Sequence, residues 1–164
     1  MQKLKYSPED EQILMSQLWS PQLADDPESF VLFCFPWGVE NTPLAEFKGP
    51  RKWQRKVLRE IRDHIKANRG VLDMEALRKA ISSGRGIGKS ALVSWLILWM
   101  LSTRIGSSVI VSANSENQLR TVTWGELTKW STMSINSHWW EVSATKLVPA
   151  AWLTDLVERD LKKG

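Results

Sequence analysis

The sequence predicts an α/β fold behind a helical N-terminal arm, and three observations carry this. Residues 77–82 read as a short strand that enters a glycine-rich stretch; a long apolar helix follows from Lys89, then a second strand over residues 108–112. The first 48 residues show helix starts and 3.6-residue periodicity instead. The chain has 164 residues, 43% hydrophobic and 24% charged, which suits one soluble domain able to bury about 70% of its unfolded surface. A collagen, a disordered tail and a disulfide scaffold are excluded. Cys34 is the one cysteine and reads as a buried structural thiol. With only His64 and His138 beside it, a zinc cluster lacks ligands.

The elements follow in order. Ser7-Pro8-Glu9-Asp10 is a helix start: a hydroxyl cap, proline at the first position and acids in the first turn. Ile13, Leu14, Leu18 and Trp19 form its apolar face, and Ser20-Pro21 ends it. Asp26-Pro27-Glu28 starts a second helix into the apolar residues 30–35. Pro36, Gly38 and Pro43 mark an irregular connection to Gly49-Pro50. Residues 50–68 form a helix in which Trp53, Val57, Ile61 and Ile65 recur every four residues with Leu58 beside them, and Gly70 closes it. After the glycine stretch, Leu92, Trp95, Leu96, Leu98, Trp99, Met100 and Leu101 cover a helix apolar on most sides, which requires burial on most sides. Residues 108–112 read as a central strand, 116–132 as a helix, 137–147 as holding a third strand, and 149–163 as a final helix. The expected domains are an arm over 1–48 and the α/β unit over 49–164. Trp139-Trp140 reads as core packing rather than a recognition surface. The longest uncharged run, residues 90–103, is too short to cross a bilayer, and no signal peptide is visible, so a cytoplasmic location without membrane contact is expected.

Charge is uneven. Residues 1–47 carry two lysines against eight acids, for −6; residues 48–69 carry nine basic groups against two acids, for +7; the rest carries +3. The basic helix face could touch DNA phosphates, but a solvated face is the stronger reading.

The informative stretch is Ser83-Gly84-Arg85-Gly86-Ile87-Gly88-Lys89-Ser90. It is a variant of the phosphate loop G-x-x-x-x-G-K-[ST], complete in Gly88-Lys89-Ser90 but with Ser83 at the first glycine. Glycines let successive backbone N–H groups converge on phosphates, and the following helix adds its positive end. Lys89 would reach the β- and γ-phosphates, and the Ser90 hydroxyl would complete a Mg²⁺ shell. Residues 83–90 are thus the candidate ATP-binding loop. A plain helix-capping turn with Lys89 exposed is the alternative.

The arrangement resembles the ATPase domain of large terminase subunits, the motors that package DNA in tailed phages. Four features carry the likeness: an apolar segment reaching Pro36-Trp37; Trp53-Gln54 upstream of the loop; the variant loop with Arg85 four residues before Lys89; and Val109-Ile110-Val111 leading into residues 112–118 and a Trp-containing helix. The resemblance implies a partial P-loop NTPase (RecA-like) parallel sheet flanked by helices, with ATP and Mg²⁺ as cofactors. By position Gln54 would read adenine, its amide offering one donor and one acceptor; a solvent-facing helix residue is the other reading. Arg85 would act in cis near the γ-phosphate, or bind phosphate without catalytic weight. Trp53 shares the apolar face and reads as core. The implied partners are double-stranded DNA, the phage portal and the small terminase subunit, in a bacterial host.

The sequence departs from the family after the second strand. No apolar strand ending in Asp-Glu follows, so the Mg²⁺-binding and water-activating acids are missing, and residues 150–155 have helical spacing. No nuclease carboxylate cluster is present either. The chain therefore reads as the nucleotide-binding portion of such a motor, truncated before the Walker B strand, with little or no turnover of its own. A helicase-like P-loop ATPase, a small kinase and a non-hydrolysing interaction module are the alternatives.

Overall fold

The computed structural model describes residues 7–72, 75–81 and 88–163. Helix α1 spans Pro8–Leu18 and is closed by a reciprocal cap: the Asp10 amide donates to Ser7 Oγ (3.2 Å) and the Ser7 amide to the Asp10 carboxylate (3.4 Å). The short α2 (Pro21–Ala24) leads to α3 (Pro27–Cys34), whose N-terminus Asp26 caps by accepting from the Ser29 amide at 3.2 Å. Helix α4 spans Lys52–Ala67 and α5 Lys89–Thr103. The segment 116–133 is helical but not uniform: α6 (Glu116–Gln118) opens on a Ser115 cap, a π-helical turn covers Leu119–Thr123, and α7 runs from Trp124 to Met133. A 3₁₀ turn (Ser137–Trp139) precedes a hairpin of β1 (Trp140–Val142) and β2 (Leu147–Pro149), antiparallel with Trp140 opposite Pro149. Helix α8, Ala151–Lys163, follows.

The expected α/β sheet is not formed. The described residues are 59% helical, and the two-stranded antiparallel hairpin is their one sheet, so a RecA-like parallel sheet is ruled out for them. Residues 77–81 and 108–112 carry no strand, Ser82 lies outside the described residues, and Ile110 is 93% exposed. The expected third strand is instead two strands, and Pro149 belongs to β2 rather than to the final helix. The physical reason lies in α5. Its wide apolar girdle demands cover but does not specify a sheet, and here helices supply that cover. Helices α2, α3 and α7 pack on it, burying Leu92, Trp95, Ile97, Leu98 and Trp99. A parallel strand needs apolar cover on both faces. Ile110 lacks it.

Tryptophans fill the resulting core. Trp37, Trp95 and Trp130 lie within 5.1–5.9 Å of one another, with Phe35 edge-on to Trp130 at 5.1 Å. Trp99 Nε1 donates to the Leu23 carbonyl (2.9 Å), tying α5 to α2. Trp139 and Trp140 are core residues, as their apolar context implies, and Cys34 is buried. Two buried polar clusters join distant segments. Asn136 accepts from Ser134 Oγ and donates to Ser102 Oγ (2.9 Å); Glu11 accepts from Trp139 Nε1 and pairs with His138 Nε2 at 2.7 Å. No helix among the described residues is long and apolar enough to cross a membrane.

Candidate functional site

The site is built from the first turns of α4 and α5. Gln54 is the third residue of α4, and its side chain folds back so that Oε1 accepts from the Arg51 amide at 2.8 Å, closing the helix start. The other end of the same amide reaches across the fold: Nε2 donates to the Gly88 carbonyl at 2.8 Å, 34 residues away. Gln54 is only 3% exposed. It is therefore neither solvent-facing nor turned outward to a base.

Gly88 stands at the N-cap of α5 with φ +90°, a backbone conformation that side chains resist. A Cβ there would lie 2.4 Å from Gln54 Nε2, so the close approach of the amide also requires glycine. The Gly88 carbonyl accepts the first helical bond of α5 from the Leu92 amide at 3.1 Å. This leaves the amides of Lys89, Ser90 and Ala91 without helical acceptors, the usual donors of a helix start. Lys89 is exposed and Ser90 half-buried, with the Ser90 carbonyl accepting from Ser94 Oγ at 2.8 Å. The structure thus brings together Gln54, Gly88, Lys89 and Ser90. Ser83, Gly84, Arg85, Gly86 and Ile87 lie outside the described residues. Trp53 is half-buried against the core, as its place on the apolar face implies.

The basic helix meets the acidic arm. Glu28 on α3 pairs with Arg59 (2.9 Å) and Arg55 (3.5 Å) of α4, and Asp25 pairs with Arg69. Arg62 pairs with Asp63 at 2.9 Å, and Lys79 with Glu60. The two opposite charge blocks of the sequence so serve in part to dock the arm on α4. Sequence spacing could not show this, because the partners stand 27 to 44 positions apart.

A separate cavity of about 380 Å³ opens along the other half of α5, between Ile97, Leu101, Val111, Leu119, Trp124 and Leu147. Ile97 stands eight residues beyond Lys89, about 12 Å along the helix axis, so this space is not part of the loop site. Nothing in the sequence pattern pointed to it; Leu119 and Arg120 of the π-helical turn help line it. Among the described residues no group of three or more His, Cys, Asp or Glu is placed to hold a metal ion. Comparison of the chain with protein families, with curated proteins and with solved structures returns no match.

Proposed function

We propose that this chain binds the phosphate tail of ATP at the start of α5, as the nucleotide-binding portion of a terminase-type DNA-packaging motor. The observation that carries the phosphate site is the Gln54–Gly88 hydrogen bond, which joins the upstream Trp-Gln to the Gly-Lys-Ser end of the loop variant. The motor class rests on the order of motifs in the sequence. Anion binding at a helix start needs free amides, a positive dipole end and a mobile cation, and α5 offers the first two with Lys89 as the third.

Mg²⁺ would take one protein oxygen there, the Ser90 hydroxyl, with phosphate oxygens and water completing the shell; such sparse protein ligation is ordinary for this ion. Bound there, it would neutralise phosphate charge. The sequence holds no apolar strand ending in an acid pair for water activation, so binding without sustained hydrolysis is the expected behaviour. Such a motor works in the cytoplasm of a phage host. Titration with ATP and Mg²⁺ tests the reading. Lys89 is exposed, so Lys89→Ala should leave folding intact and abolish binding; unchanged affinity would refute the site.

A further inference from the structure

We infer that the site grips the polyphosphate tail without reading the base, and that Gln54 is its positioning residue. This rests on the phosphate site proposed above. An amide that reads adenine must present its donor and its acceptor outward together. In Gln54 the acceptor is turned back on the Arg51 amide and the donor on the Gly88 carbonyl, in a buried side chain. Turning it outward would give up both of these bonds, each worth about 1 kcal/mol net.

The same geometry gives Gln54 a different task. The Gly88 carbonyl accepts from both Gln54 Nε2 and the Leu92 amide. Gln54 therefore pins the peptide from which α5 departs, at a glycine whose φ of +90° would otherwise be one of many open to it. Pinning that peptide sets the direction of the next three amides, those of Lys89, Ser90 and Ala91. These groups meet phosphate oxygens, which every nucleoside triphosphate and inorganic tripolyphosphate share. Base identity does not reach them.

The test is calorimetric titration of the full chain with the Mg²⁺ complexes of ATP, GTP and inorganic tripolyphosphate. The wild type should bind all three within about threefold of one another. Gln54→Ala should weaken all three by one common factor of about five, the worth of one net hydrogen bond. Gln54→Glu keeps an acceptor for the Arg51 amide but sets an oxygen against the Gly88 carbonyl. Its deficit relative to wild type should shrink as pH falls and the carboxyl regains a proton to donate, while the Gln54→Ala deficit stays constant; a generally loosened fold would not recover in this way. A tenfold or greater preference of the wild type for ATP overturns the inference, and loss of that preference in Gln54→Ala would make Gln54 the base reader. Unchanged tripolyphosphate affinity in Gln54→Ala overturns the positioning role. A wild type that binds none of the three overturns the phosphate site, and this inference with it.

Discussion

The contact between Gln54 and Gly88 can be tested without any ligand, by a double-mutant cycle. Gly88→Ala places a Cβ where φ is +90°, a conformation costing an L-residue about 1–2 kcal/mol. It also puts that Cβ 2.4 Å from Gln54 Nε2, so the amide must leave and its bond to the Gly88 carbonyl is lost, for about 1 kcal/mol more. Gln54→Ala removes the same bond and the helix-capping bond from the Arg51 amide, together about 2 kcal/mol. Added as independent events, the two changes come to about 4–5 kcal/mol. In the double variant the shared bond is lost once and the clash has no partner, so the combined loss should fall about 1 kcal/mol short of the sum. Urea denaturation followed by tryptophan fluorescence reads all four corners of the cycle. Additivity within about 0.3–0.5 kcal/mol would mean that the two residues do not touch, and the reasoning would fail.

Three further outcomes are expected. Asn136→Leu removes a fully buried amide that holds the Ser102 and Ser134 hydroxyls; it should lower unfolding free energy by about 2–4 kcal/mol in chemical denaturation, and a loss under 1 kcal/mol would contradict the network. Cys34 is 2% exposed and burial pushes its thiol pKa up, so a thiol-specific disulfide reagent should label it only when denaturant is added; fast labelling of the native chain would refute its burial. The hydrogen bond from Lys79 holds the Glu60 carboxyl below the usual glutamate range. A depressed folded pKa contributes stability that is present above the ordinary glutamate value and lost as pH falls through the lowered one. Lys79→Met should therefore flatten the acid side of the stability–pH profile, and an unaltered profile would exclude the pair.

Local rules made the helices legible. Ser7 and Asp26 cap as their sequence contexts require, and α5 begins at Lys89 after a glycine. Trp53, Val57, Ile61 and Ile65 pack on the core, with Leu58 fully buried beside them. The sheet failed for an equally physical reason. A run such as Val109-Ile110-Val111 states that it would fit a strand, but only a neighbouring strand can make it one. The site was half legible. The resemblance assigned Gln54 and Gly88-Lys89-Ser90 to one nucleotide site, Gln54 as a reader of adenine, but spacing could not show that the amide turns inward, because the acceptor of its Nε2 lies at the start of another helix. The same holds for Glu28, whose two arginines come from a helix that begins 24 residues later.

Ile110 gives the sharpest test of the helical architecture. In a central strand of a parallel sheet this side chain would be buried, and a lysine there would cost several kcal/mol through desolvation of its charge. In the structure described here Ile110 is 93% exposed, with no strand around it. Ile110→Lys should then change unfolding free energy by no more than about 0.5 kcal/mol, the range of ordinary surface substitutions. Trp95→Ala serves as the positive control: its ring is 2% exposed between Trp37 and Trp130, and its removal should cost about 3–5 kcal/mol. The ratio of the two losses decides the question, because it compares a strand position directly with a helix-core position in one chain. If Ile110→Lys destabilises as strongly as Trp95→Ala, residue 110 is buried in solution, and the helical cover of α5 by α2, α3 and α7 is not the packing that the chain adopts.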